Sequence, residues 1–384
     1  MLGWNNAGDP LTGKTAFLYS EQFLEYNLGP AHPLRPVRVK LTHDLLKSKT
    51  ILDDPSVKVE EPRPAEEAEI LTFHEKEYVN LVRKYSLTGK GLLDTGDTPA
   101  FKGCYEATGL IVGASLAACD MVMNGSYEHA FNPSGGLHHA HPERASGFCI
   151  FNDPAVTIKR LQMKHHVKRL LYLDIDAHHG DGVMYGFYKD PGVLDIDFHE
   201  SGRYLFPGTG FPDETGEGEG VGVKVNIPLP PGTGDDAYLT AFHRLVPRLV
   251  ERFRPEIILV QCGADGHLDD RLAHLRLSTD TYREVILEMH RLAHELCRGR
   301  FVLFGGGGYT LTNVPRVWAV AFATLAGLSE DDAIPEEWSR EFRALTGEDP
   351  PSAFHDSRTR DTLDIHKEVE RVLRELSTCL GAKF

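Results

Sequence analysis

Residues 170–181, Leu-Leu-Tyr-Leu-Asp-Ile-Asp-Ala-His-His-Gly-Asp, constrain this chain more than any other stretch. The run opens on continuous apolar strand formers, the pattern of a strand buried on both faces of a parallel sheet, here expected over 170–175. Side chains alternate along a strand, so Asp174 and Asp176 point the same way before the chain breaks at Ala177 into a loop carrying His178, His179 and Asp181. Ligands of open α/β sheets bind beyond the carboxyl ends of strands, where these groups would lie. Buried carboxylates and imidazoles are costly unless compensated, and a divalent metal is the usual compensation. Asp176 and His178 are the candidate ligands; a catalytic zinc would need a third from elsewhere in the chain. The bland alternative is a salt-bridged strand end with surface histidines.

A second acid-ended strand supplies the missing ligand. Residues 257–265, Ile-Ile-Leu-Val-Gln-Cys-Gly-Ala-Asp, again read as a buried strand, and Asp265 at its end would share the sheet edge with Asp176. Strands are also expected at 16–19, 193–199 and 300–304, and helices at 39–47, 71–85, 107–123, 236–253, 279–297 and 363–380. Alternating elements of this kind give an α/β domain with a mainly parallel central sheet flanked by helices. No repeat or convincing linker divides the 384 residues, so 1–384 is read as one domain, with a core over about 17–318 and a helical extension over 329–384.

Between these elements lie loops whose residues suit a site. Gly135-Gly-Leu-His-His139 pairs glycines, which admit close backbone approach, with histidines suited to acid/base work or metal binding, although a loop histidine pair is also ordinary surface. Gly147 and Phe148 could form one wall of an apolar slot, and Phe206, at the start of a glycine-rich loop reaching Gly222, a second. Four successive glycines, 305–308, precede Tyr309; the run lacks the Lys and Ser/Thr of a phosphate loop and is better explained as letting the tyrosine reach the site. Arg38 is either a buried cation beside the site or a helix-start surface charge. Asp97 stands on a turn-rich loop.

Composition removes several classes. A formal net charge of -15 argues against a general nucleic-acid binder, which needs a basic face, and suits lysine-bearing ligands. Six cysteines without a Cys-x-x-Cys pair read as reduced thiols of an intracellular protein, and no signal sequence or bilayer-spanning run is expected, so a cytoplasmic location without membrane partners follows. Residues 8–15 match the phosphate-loop pattern letter for letter, but no strand is expected before them and one is expected after, the reverse of that motif's context.

Taken in order, Gly135-Gly-Leu-His-His139, Ala145-Ser-Gly-Phe-Cys149, Asp174-Ile-Asp-Ala-His-His-Gly-Asp181, Phe206-Pro-Gly-Thr-Gly210, Gly263-Ala-Asp265 and Gly305-Gly-Gly-Gly-Tyr309 strongly resemble the zinc-dependent histone deacetylase family. Residues 199–210 and 272–277 resemble its bacterial acetoin-utilisation members. The resemblance implies an arginase/deacetylase-like fold and hydrolysis of the acyl amide of N6-acetyl-lysine in proteins, releasing acetate and free lysine. It implies zinc on Asp176, His178 and Asp265, with iron(II) suited to the same donors. It implies His138 and His139 facing the attacking water, backed by Asp174 and Asp181, and Tyr309 on the carbonyl oxygen. Asp97, Gly147, Phe148, Phe206 and Leu272 would bind substrate, and Arg38 would border an internal channel. A structural potassium ion near Asp174 is implied too, with Asp197 standing where family members often offer a hydroxyl. Acetylated proteins, among them an acetyl-CoA synthetase, are the implied partners. The rival reading is an acetylpolyamine or other small-molecule amidohydrolase of the same superfamily.

Overall fold

The computed structural model describes residues 13–381, so the phosphate-loop match at 8–15 lies mostly outside the described residues. Within them, eight strands form one all-parallel sheet: β1 (Thr15–Leu18), β2 (Val57–Glu60), β3 (His129–Asn132), β4 (Leu170–Asp174), β5 (Val193–Glu200), β6 (Lys224–Leu229), β7 (Ile258–Gln261) and β8 (Phe301–Phe304). Their order is β2-β1-β3-β8-β7-β4-β5-β6. Every residue of β3, β4, β7 and β8 is buried, which is why β4, β7 and β8 carry apolar runs rather than alternation.

The order places the site. After β3 the chain builds β4 two positions beyond the adjacent place, and β7 and β8 later fill the gap, so four neighbouring strands, β3, β8, β7 and β4, open their carboxyl ends onto one crevice at a topological switch point. Helix Cys104–Met123 packs on β3, β8 and β1, and helix Thr279–Cys297 on β7 and β8.

Several expectations from the sequence are corrected. β2 is absent from the strands expected above; as an edge strand with only Val57 fully buried it lacks the apolar run of the interior strands. The helix expected over 71–85 is two, Glu67–Ile70 and Lys76–Thr88, with turns between, because the backbone of Glu75 is extended at the second helix's start. β6 was not anticipated, since Lys224, Asn226 and Pro228 interrupt its apolar pattern. Helix Cys104–Met123 is long and apolar enough by length and composition to cross a membrane, against the expectation of no such run, yet 72% of that window is buried within the protein.

The carboxyl-terminal extension is built into the domain. Helix Leu363–Leu380 packs on β6 and on helix Asp235–Phe253, covering an edge strand that would otherwise be open. Asp361 accepts hydrogen bonds from the backbone of Gly234 (2.7 Å) and Ala237 (2.9 Å), capping helix Asp235–Phe253. Trp338 is buried and its indole N–H donates to the Leu41 carbonyl.

Candidate active site

The loop after β3 is fixed by its neighbours before any chemistry is considered. Asn152 caps helix Asp153–Met163 by accepting from Ala155 N–H, and its amide donates to the carbonyls of His138 (3.0 Å) and Ala140 (2.9 Å). The buried Asp153 carboxylate accepts from the backbone of Gly136 and Leu137 and from Ser115. Burial lifts that carboxyl to about 6 against these donors. The sequence alone assigned Asn152 and Asp153 no role, although Asn-Asp-Pro is a recognisable helix start.

Held this way, the two histidines face each other. His138 Nδ1 lies 2.8 Å from Asp174 Oδ2, His139 Nδ1 lies 2.7 Å from Asp181 Oδ1, and the two Nε2 atoms are 3.0 Å apart. Tyr172 O–H donates to the same Asp174 oxygen, and His141 shares Asp181 through its other oxygen. Burial disfavours charge on both rings, but Asp174 and Asp176 overcome it at His138 and raise it to about 10. At His139 burial and the neighbouring His138 win over Asp181, lowering it to about 4. One imidazole therefore holds a proton while the other is free to take one.

Asp176, His178 and Asp265 form a buried trio whose donor atoms all lie within 4.8 Å of one another. His178 Nδ1 is 2.9 Å from Asp265 Oδ2 and 3.2 Å from Asp176 Oδ1. Backbone N–H groups aim the carboxylates: Gly307 donates to Asp176 and Ala177 to Asp265, while the Gln261 amide donates to Asp176 at 2.8 Å. Gln261, the polar end of an apolar strand, was overlooked in the sequence although its position was visible. Burial and repulsion by Asp176 push Asp265 up to about 7. Burial works the same way on Asp176, but His138 and His178 outweigh it and hold that carboxyl well below its ordinary range. Two carboxylates crowded on one imidazole in a dry site are the donor set of a divalent metal such as zinc or iron(II), and such an ion would remove the repulsion. His179, adjacent in sequence, turns away to Thr209 Oγ1 and the Met184 sulfur.

The glycine run has a steric cause. A Cβ on Gly307 would overlap Asp265 Oδ2, and Gly306, at φ +130°, would drive a Cβ to 2.7 Å from the Gln261 amide carbon. The run carries Tyr309 to the site, its ring centroid 6.2 Å from His178 and 5.8 Å from Phe148, with its backbone N–H donating to Asp270. Burial, then Asp265 and Asp176, hold its hydroxyl well above the usual tyrosine value, so it stays protonated.

Two aromatic rings stand at the mouth. Phe206 is 43% exposed with its centroid 5.0 Å from His139, and Phe148 occupies a left-handed backbone conformation at φ 67°. A Cβ on Gly147 would overlap the His139 ring and sit 2.8 Å from Phe206, so glycine keeps the passage between them open. Asp97 lies at the rim, its carbonyl 3.2 Å from His32 Nε2, and the adjacent Thr98 hydroxyl accepts from Phe148 N–H. Burial and Asp94 raise the Asp97 carboxyl to about 6. Leu272 is tied through Asp270, which accepts from both Leu272 and Tyr309 N–H groups. Arg38 is buried behind the glycine run, donating to the Gly308 carbonyl at 2.9 Å and lying 5.0 Å from the Trp318 ring centroid; it is not a surface charge. Asp197, also buried, accepts from Gly180 N–H at 2.7 Å and lies 2.6 Å from His199 Nδ1.

Comparison with known proteins agrees with this geometry. The family model described as "Histone deacetylase domain" matches residues 32–325. The chain is 41% identical over 353 residues to "Acetoin utilization protein AcuC" of Bacillus subtilis (strain 168), covering 89% of this chain and 90% of that protein. It is 36% identical over 354 residues to the protein of the same name from Staphylococcus aureus (strain MSSA476), covering 90% of each. The Staphylococcus xylosus protein is 35% identical over 333 residues, covering 84% of this chain and 86% of that protein.

Proposed function

The chain belongs to the histone deacetylase family, and from that premise we propose that it is a metal-dependent protein lysine deacetylase that hydrolyses N6-acetyl-lysine to lysine and acetate. The observation that carries this reading is the His138–His139 pair, Nε2 to Nε2 at 3.0 Å, set beside the trio of Asp176, His178 and Asp265.

Asp176, His178 and Asp265 would hold zinc, with iron(II) suited to the same donors. Bound there, the metal supplies Lewis acidity to the amide carbonyl and an acidified water near neutral pH. The chain's own groups do the rest. His139 accepts the water's proton at Nε2 and returns it to the departing lysine nitrogen, oriented by Asp181 through Nδ1. His138, kept protonated by Asp174, steadies negative charge as it develops. The Tyr309 hydroxyl donates to the same developing oxyanion. Phe148 and Phe206 enclose the lysine methylenes, with Gly147 leaving room, while Asp97 and Leu272 meet the substrate at the rim. Arg38 borders the space behind the glycine run.

A structural potassium ion near Asp174 would offset the negative charge that, with burial, raises the neighbouring Asp197 carboxyl. A cytoplasmic location fits acetylated proteins as substrates, and the acetoin-utilisation likeness favours a metabolic enzyme such as an acetyl-CoA synthetase.

The test is hydrolysis of an acetyl-lysine peptide and of acetylated polyamines by purified protein, before chelation, after it, and with zinc restored. Peptide hydrolysis that vanishes with chelator and returns with zinc is expected. Turnover of the polyamines alone would replace protein lysine with a small-molecule substrate.

A further inference from the structure

At the opposite, amino edge of the sheet, three imidazoles converge without any part in the chemistry above. His129 opens β3, while His290 and His294 lie one turn apart on the same face of helix Thr279–Cys297. His294 Nε2 is 3.2 Å from His129 Nε2 and 3.0 Å from His290 Nε2, and all three donor atoms lie within 4.8 Å of one another. Nitrogens on a tetrahedral ion with bonds of about 2.0–2.1 Å stand about 3.3 Å apart, close to these separations.

The protonation pattern favours a ligand. The Thr15 hydroxyl donates to the Gly13 carbonyl at 3.4 Å, leaving its oxygen, 3.2 Å from His129 Nδ1, to accept from that ring. His129 Nε2 then presents a lone pair to the cluster, the outer-sphere arrangement usual for a metal-bound histidine. His129 and His290 are buried, and His294, only half-buried, gives access. The Glu128 carboxylate borders the opening: a Cβ on Gly299 would sit 3.2 Å from His294 Cε1 and 3.3 Å from Glu128 Oε2, and one on Gly13 would overlap that oxygen and sit 2.9 Å from His129 Cε1.

We propose that His129, His290 and His294 form a second metal site, taking one divalent first-row transition ion, zinc foremost, with its fourth position open toward Glu128. Three imidazoles suit zinc, nickel or copper and not magnesium or calcium, which want oxygen. The ion would staple β3 to helix Thr279–Cys297. The third cluster among the described residues, Cys119, Asp120 and His165, differs in that Asp120 is already taken by Arg160 and Lys164.

Full-length protein is equilibrated with zinc sulfate, gel-filtered and analysed for zinc per chain, alongside His294→Ala, His294→Gln and His165→Ala. The His294 variants are expected to hold one ion fewer than wild type and to keep its hydrolysis rate, while His165→Ala keeps the wild-type count. The difference between proteins is what is read, so failure of the catalytic trio to bind zinc would lower every total alike without touching this inference. Equal counts in wild type and both His294 variants, or loss of the ion in His165→Ala instead, would overturn it.

Discussion

His138 and His139 are adjacent in sequence and present their Nε2 atoms to each other at 3.0 Å, yet they titrate in opposite directions. Burial disfavours charge on both, but Asp174 and Asp176 outweigh it at His138, and the charge held there adds to burial at His139. His139 must be neutral to accept a proton, so activity is lost as pH falls through its value of about 4. Replacing His138 by alanine removes the positive neighbour, so His139 protonates more readily and the acidic limb of the kcat/KM profile moves to higher pH. His139→Ala, which removes the base itself, should cut kcat by about 10²- to 10⁴-fold. An unmoved acidic limb in His138→Ala would mean that the two rings are not coupled as described.

Tyr309→Phe deletes one hydroxyl from a ring held by packing against Phe148 and by its backbone bond to Asp270. Folding and metal content should be unchanged, because neither depends on that oxygen. Loss of one oxyanion donor typically costs about a hundredfold or more in kcat. Wild-type turnover by the variant would take tyrosine out of the reaction.

The ends of β4 and β7 were legible because each is an apolar run closed by an acid, at Asp174 and Asp265, and a chain buries such a run most readily as an interior strand. β2, β3 and β6 were not, because an edge strand with one fully buried residue, a four-residue strand with His129 and Asn132 at its ends, and a strand holding Lys224 carry no such run. Lys224 is tolerated there by donating to the Val193 and Asp190 carbonyls, a tertiary fact. The pairing of His129 with His290 and His294 was hidden for the same reason. The spacing of the last two is visible on a helix, but the first reaches them only through the sheet. Asp270, which joins the rim at Leu272 to the backbone of Tyr309, has the look of an ordinary loop acid in the sequence.

Gly307→Ala tests the carboxylate pair directly. The added methyl would overlap Asp265 Oδ2 and lie 2.8 Å from Asp176 Oδ2, so the carboxylates must move apart. Displacing groups that orient metal ligands typically lowers affinity about 10- to 100-fold. Zinc competition against a chromogenic chelator should show that weakening, with hydrolysis partly recovered at high zinc. Unchanged affinity would place the metal elsewhere.

The last prediction concerns the carboxyl-terminal extension, whose segment after helix Glu336–Thr346 shows no chemistry in its sequence. Asp356 lies there, 2.7 Å from Arg316 Nη1 and 2.8 Å from His267 Nε2, and it also accepts from Thr279 N–H at 3.3 Å. Burial opposes its charge, but His267 and Arg316 outweigh that and hold the carboxyl below its ordinary range. A carboxyl depressed on folding contributes stability above its unfolded value of about 3.9 and loses it as pH falls toward the folded one. Asp356→Asn should therefore cost about 2 kcal/mol at pH 7, the scale of hydrogen bonds to charged groups, and progressively less below about pH 4. Urea unfolding of both proteins across that range gives the difference directly. A pH-independent difference would assign the contribution to packing of the extension, and no difference at all would make the extension an appendage of the core.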